Sequence, residues 1–177
     1  DTVICTHVFS AMMLTHLQKR HHLSVKTAFV GTDYTFYPGM KACDLQKYFI
    51  AGESLTNAYR NLGIPRKKII VSGIPIQQKF WKQTDKGEAK QMLGIGRKNQ
   101  HLLMMCGSMG CGPIAKMLKQ IAGRLPQDVE VTVICGTNKR LYRKLSARYK
   151  ECPRIHITGY TDKMPLYMDS ADLCLTK

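Results

Sequence analysis

The sequence predicts an α/β protein built on parallel sheets, and three observations carry that prediction. Short runs of buried-type residues alternate along the chain with helical patterns. Several of the runs hold three or more apolar residues in a row, as strands do when helices cover both faces of a parallel sheet. Glycine and small polar residues then cluster just after the strands, on the edge where open parallel sheets bind ligands.

In chain order the strand-like runs are residues 3–6, 27–30, 48–51, 68–72, 102–106, 129–135, 155–158 and 172–176. Helical periodicity fills most of the gaps, over 11–19, 53–62, 87–93, 114–125, 138–150 and 163–171. His7 follows the first strand and Asp33-Tyr34 the second. Ser72-Gly73 end the fourth, and Gly107-Ser108 end the fifth. Gly136-Thr137-Asn138 follow the sixth, and Gly159-Tyr160-Thr161 the seventh. One such cluster is ordinary turn chemistry. A whole series in register predicts a ligand crevice along the carboxyl edge.

A compositional break falls between Gly73 and Gln100. It begins at Gly73-Ile74-Pro75-Ile76, passes Trp81 and ends in the polar stretch Gly94-Ile95-Gly96-Arg97-Lys98-Asn99-Gln100. A fresh strand, glycine loop and helix start after it. The expectation is two α/β domains, residues 1–80 and 81–177, joined near 76–84 and facing each other across a cleft. The chain opens and closes inside strand-like runs, so both domains are expected to be incomplete.

The glycine loop is the most specific feature. After the apolar run 102–106 come Gly107-Ser108-Met109-Gly110-Cys111-Gly112, and a helix opens at Pro113. Glycines let backbone approach a ligand closely, proline suits a first helical turn, and the helix N-terminus presents free N–H groups with partial positive charge. A phosphate or diphosphate is the natural occupant. The spacing G-x-x-G-x-G is neither a Walker A loop nor the dinucleotide fingerprint.

Lys and Arg outnumber Asp and Glu by 27 to 12, a formal charge of +15. That excess suits phosphorylated ligands or an anionic lipid surface. No basic tail or RNA-binding aromatic signature points to nucleic acid. No stretch approaches the roughly 18 apolar residues of a membrane-spanning helix. The seven cysteines form no C-x-x-C pair, and no zinc-like spacing appears. Cys5, Cys106, Cys135 and Cys174 sit in strand-like runs and read as small buried hydrophobes in a reducing cytoplasm. Cys111, at a helix N-terminus, is the candidate for reactivity.

Taken together the motifs resemble a known family. Thr32-Asp33-Tyr34, Gly73-Ile74-Pro75-Ile76 with Phe80, Gly107-Ser108-Met109-Gly110 and Cys135-Gly136-Thr137-Asn138 with Leu141 occur in that order. Gly159-Tyr160-Thr161-Asp162-Lys163-Met164 follows, then Ala171-Asp172-Leu173 with Thr176-Lys177. The set is similar to that of monogalactosyldiacylglycerol synthases and processive diacylglycerol glucosyltransferases, which are GT-B glycosyltransferases. The resemblance implies two Rossmann-like domains, transfer of a hexose from a UDP-sugar to diacylglycerol with inversion, and no essential metal or cofactor. It also implies a donor held mainly by the C-terminal domain, an acceptor held mainly by the N-terminal one, and peripheral attachment to a cytoplasmic membrane face or plastid envelope. Alternatives are N-acetylglucosamine transfer to a polyprenyl-linked precursor, or a non-catalytic nucleotide- or anionic-lipid-binding module. The family's Gly-Gly-Ser is here Cys106-Gly107-Ser108. Its N-terminal glycine–histidine loop and later Pro-Gly-Gly segment lie outside the sequence, so this fragment by itself is expected to be inactive.

Roles follow from that resemblance, each beside a plainer reading. Gly107, Ser108 and Gly110 suit the diphosphate, with Gly136, Thr137 and Asn138 adding contacts; Asn138 reads equally as a helix cap. Tyr160 and Thr161 would line the base pocket, with Met164 beneath; Tyr160 and Met164 also read as core. His7 is the imidazole at the acceptor edge, as base, as orienting group or as a merely structural histidine. Asp33 would orient a hydroxyl or a histidine, or merely close an Asx turn. The segment Ala11-Met12-Met13-Leu14 with the basic residues from His16 to His22 is a candidate lipid contact, or equally an ordinary helix with a solvated end.

Overall fold

A computed structural model describes residues 1–107 and 112–176. The expectations placed on Ser108, Gly110 and Cys111 lie outside the described residues. The chain divides into two compact units, Asp1–Gln77 and Gln78–Lys177. Each carries one four-stranded sheet in which every pairing is parallel.

The first unit runs β1 (Thr2–Cys5), α1 (Val8–His21), β2 (Lys26–Val30), β3 (Lys47–Ile50), α2 (Thr56–Asn61) and β4 (Ile69–Val71), with sheet order β1-β2-β3-β4. The helix expected over 53–62 is a 3₁₀ turn, Glu53–Leu55, that runs into α2. Strand side chains alternate between faces. Cys5, Phe29, Tyr48, Ile50 and Ile69 pack against Val8, Ala11 and Leu14 of α1 and Tyr59 of α2. The other face departs from the expectation of full cover: Ile4 is 61% exposed. With Val30, Phe49, Ser72, Gly73 and Pro75 it lines a shallow apolar depression.

A polar clasp fixes the long β2–β3 connection. The Thr15 hydroxyl accepts from the Asp44 amide at 3.0 Å and donates to the Ala11 carbonyl at 2.9 Å. The buried Tyr48 hydroxyl accepts from the Leu45 amide and donates to the Cys43 carbonyl, both at 2.9 Å. Both buried hydroxyls therefore have their partners, which avoids the cost of about 1–3 kcal/mol for an unmet one.

The second unit runs α3 (Lys86–Met92), β5 (Gln100–Met105), α4 (Ile114–Ala122), β6 (Val129–Ile134), α5 (Lys139–Arg148), β7 (Ile155–Thr158), α6 (Met164–Ser170) and β8 (Leu173–Leu175), with sheet order β7-β6-β5-β8. Ile114 and Leu118 of α4 and Leu145 of α5 pack on Met104, Val131, Val133 and Ile155. Pro113 caps α4 from just outside and does not occupy its first turn. Cys5, Cys106 and Cys135 are buried, as expected, but Cys174 is exposed on the edge strand β8.

The amino ends of these strands hold buried charge. The Asp172 carboxylate accepts from Lys90 Nζ at 2.6 Å, Lys86 Nζ at 2.9 Å and the His101 amide at 2.8 Å. Burial pushes its carboxyl up, and these three donors outweigh burial and hold it well below the usual range. Glu130 accepts from the Gly96 amide, the Asn99 side chain and His156 Nε2. Burial again raises its pKa, and these donors more than reverse the shift.

His101 is fully buried, with Nδ1 2.9 Å from Ser170 Oγ and Nε2 2.8 Å from Thr132 Oγ1. Ser170 donates its proton to the Tyr167 carbonyl, so His101 Nδ1–H donates to Ser170 and Nε2 accepts from Thr132. The ring is therefore neutral. Burial drives its pKa down to about 4, the cationic Lys90 nearby adding to the effect.

Candidate nucleotide and acceptor edges

The carboxyl ends of the strands carry different chemistry. After β5 the chain passes Cys106 and turns at Gly107, whose φ of 67° lies in the left-handed region that favours glycine. Gly112, with φ of 131°, returns the chain toward α4; a Cβ there would meet Cys106 Sγ at 3.2 Å. Gly112 and Pro113 thus lead directly into the N-terminus of α4.

The turn after β6 is built the same way. Gly136 has φ of 56°, and Asn138 caps α5 by accepting from the Leu141 amide at 2.9 Å. The capping alternative for Asn138 is therefore real, and through it the turn at Gly136 and Thr137 is fixed. After β7, Gly159 lies against the Gly136 turn: a Cβ on it would sit 3.9 Å from the Gly136 carbonyl oxygen. The next residue, Tyr160, is 73% exposed, which removes the core reading of its ring. Thr161 accepts from the Lys163 amide at 3.1 Å, and Met164 opens α6 half-buried. Gly107, Gly136, Thr137, Asn138, Tyr160, Thr161 and Met164 thus follow the carboxyl ends of three adjacent strands, β5, β6 and β7.

In the first unit His7 and Asp33 follow the neighbouring strands β1 and β2. His7 is the N-cap of α1, its Nδ1 accepting from the Phe9 amide at 3.3 Å. With Nδ1 so engaged, the neutral ring carries its proton on Nε2 and presents a donor. Asp33 accepts from the Tyr37 hydroxyl at 2.7 Å, and the Tyr37 and His7 rings lie 6.4 Å apart. Tyr37 therefore joins the two residues into one exposed cluster. Its hydroxyl pKa is raised, chiefly because it donates to Asp33 and lies beside that negative charge. Sequence reasoning missed Tyr37 because it lies beyond the turn; its spacing of four from Asp33 in an aromatic loop was the available signal.

Comparisons with known proteins bear on the family and the fold. Residues 1–76 match the Monogalactosyldiacylglycerol (MGDG) synthase family, and residues 101–177 match the Glycosyltransferase family 28 C-terminal domain. The chain is 31% identical over 178 residues to a processive diacylglycerol β-glucosyltransferase of Staphylococcus saprophyticus, and 30% identical to one of Staphylococcus epidermidis. These alignments take in all of the chain and 45% of each relative, so the chain spans about half their length. Among solved structures it resembles Anabaena HepE in complex with UDP, at TM-score 0.62 and 13% identity, over 98% of this chain and 52% of that one. It also resembles the UDP-GlcNAc 2-epimerase of Neisseria meningitidis bound to UDP-GlcNAc, at TM-score 0.68 and 15% identity, over 99% and 53%. At such identities the likeness establishes the fold, which is GT-B.

Proposed function

We propose, for a chain that belongs to the monogalactosyldiacylglycerol synthase and processive diacylglycerol glucosyltransferase family, that the whole protein transfers a hexose from a UDP-sugar to diacylglycerol with inversion. The observation that carries this reading is the pair of tight turns at Gly107 and Gly136, with Gly159 packed against the second and leading to exposed Tyr160, along one edge of the second sheet. Such an edge suits a nucleoside diphosphate. Backbone N–H groups at the N-termini of α4 and α5 meet the diphosphate, and the Tyr160 ring packs on the base beside Thr161 and Met164. Ser108 and Gly110 belong to the same proposed cradle.

The acceptor oxygen attacks the anomeric carbon from the face opposite the leaving oxygen. The bond to UDP breaks with its electron pair passing to the β-phosphate, and the hydroxyl proton leaves to a base. Charge developing on the diphosphate falls at the α4 N-terminus, whose fixed dipole stabilises it without a metal or other cofactor. His7 presents a donor at Nε2, so it orients the acceptor oxygen, and Tyr37 and Asp33 hold that cluster in place. Removal of the proton is assigned to another group.

The site of action is a cytoplasmic-side membrane surface carrying anionic lipid. Helix α1 supports this reading: Phe9 (67% exposed), Met13 (66%) and Leu17 lie on its outer side with Lys19 and Arg20. No helix among the described residues is long and apolar enough to cross a membrane. The test is turnover of the whole protein with UDP-glucose, UDP-galactose or UDP-N-acetylglucosamine against diacylglycerol. Hexosyl-diacylglycerol from one of the first two is the expected product. Transfer from UDP-N-acetylglucosamine alone, or none from any donor, would overturn the proposal.

A further inference from the structure

Two helices of the second unit carry cations and no carboxylate. α4 holds Lys116 and Lys119; α5 holds Lys139, Arg140, Arg143, Lys144 and Arg148. None of these side chains enters an ion pair among the described residues. At about 100° per residue, the cations of α5 span roughly half of its circumference, and Lys144 and Arg148 are those nearest the core-facing Leu141 and Leu145. Between the helices runs a groove of about 410 Å³. Lys116 and Lys119 wall one side, Lys144 and Arg148 the other, with Ala115 and Leu145 also lining it and Gly112 and Pro113 closing the end that adjoins the α4 N-terminus.

We propose that this groove binds the phosphate of an anionic lipid headgroup, deepening the membrane-surface reading on which it rests. Four cations with no carboxylate partner among the described residues, Arg148 lying also over the Tyr149 ring, repel each other around one depression until an anion enters, and a phosphate oxygen accepts hydrogen bonds from several at once. The apolar floor and the alkyl stems of the lysines suit the glycerol end of a headgroup. A single phosphate leaves Lys139, Arg140 and Arg143 unmatched. A lipid surface supplies further anions side by side, which a soluble phosphate does not.

The test compares partitioning of the whole protein onto phosphatidylcholine vesicles with and without phosphatidylglycerol. Two variants, Lys116→Gln/Lys119→Gln and Lys144→Gln/Arg148→Gln, each empty one wall, and Lys41→Gln/Lys98→Gln removes equal charge elsewhere. A cation near the surface is worth about fivefold in partitioning, so each groove pair should lose roughly 25-fold and the control only a few-fold. Thermal melting of all three should match the parent, since every substituted side chain is exposed. If the parent ignores phosphatidylglycerol, the membrane reading falls and this one with it. If the parent binds but the control loses as much as the groove pairs, the groove assignment alone fails. It fails too if inorganic phosphate releases the protein beyond the effect of sodium chloride at matched ionic strength, or if the groove pairs weaken UDP while leaving vesicle binding intact.

Discussion

The two edges of the second sheet are made from opposite materials. At the amino edge, Lys90, His101, Glu130 and Asp172 are charged or titratable groups drawn into the protein, each held by several partners. At the carboxyl edge, Gly107 and Gly136 make tight turns, Gly159 packs against the second, and Tyr160 stands in solvent. One edge spends its polar groups on itself; the other keeps them for a ligand. A perturbed pKa is often a pointer to a functional site. Here the strongest shifts in this unit lie at the scaffold edge, and the proposed site has backbone geometry instead.

That contrast is broken most severely at Asp172. Asp172→Asn leaves Lys90, whose side chain is 6% exposed, without its carboxylate. An uncompensated buried charge costs about 3–5 kcal/mol. The urea midpoint should drop sharply, while UDP affinity of the folded fraction stays unchanged. Weakened UDP binding at full stability would move the amino edge into the site.

Acid probes the same edge through His101. Its folded pKa, about 4, lies below the 6.5 of a free imidazole. The unfolded chain therefore binds the proton first on acidification. Stability is complete above pH 6.5 and falls as pH drops through 4, by about 3 kcal/mol over the window. Denaturation midpoints measured from pH 7 to 4 should slope more steeply for the parent than for His101→Gln. Parallel slopes would mean that His101 titrates normally.

The carboxyl edge should respond in ligand binding and not in folding. Tyr160→Ala removes an exposed ring and should leave the melting temperature unmoved. It should weaken UDP and uridine alike, by about 1–3 kcal/mol if the base stacks as bases do on aromatic side chains. An effect on UDP alone would place Tyr160 near the phosphates.

The smallest effect belongs to the acceptor cluster. His7→Ala, Asp33→Ala and Tyr37→Phe should each lower turnover about tenfold, short of the roughly 10²–10⁴-fold expected for a catalytic base. UDP affinity should not change. A loss above a hundredfold in His7→Ala alone would make His7 the base.

How far these edges were legible in the sequence follows from their physics. Strand runs such as 48–51 and 102–106 are contiguous and apolar, and glycine turns are local, so both elements and the carboxyl-edge residues could be read directly. The amino edge could not. Lys90, Asn99 and Asp172 meet only after β8 returns beside β5, and nothing near Lys90 in sequence announces its burial. His101 looks like any polar residue opening a strand until Thr132 and Ser170 are placed around it. The Tyr37–Asp33 bond was missed for a smaller reason, since a loop conformation decides whether a spacing of four brings two side chains together. Ile4 went astray because an apolar residue in a strand implies cover that the folded unit does not give it.

The most direct test is calorimetric titration of the whole protein with UDP and with uridine, in the presence of a chelator, for the parent and Gly107→Val. A β-branched residue at φ 67° is strained by about 1–3 kcal/mol and disturbs the backbone that would approach the diphosphate. The account predicts that the parent binds UDP far more tightly than uridine without metal, and that Gly107→Val removes most of that preference while uridine affinity holds. Equal affinity of the parent for UDP and uridine would contradict it.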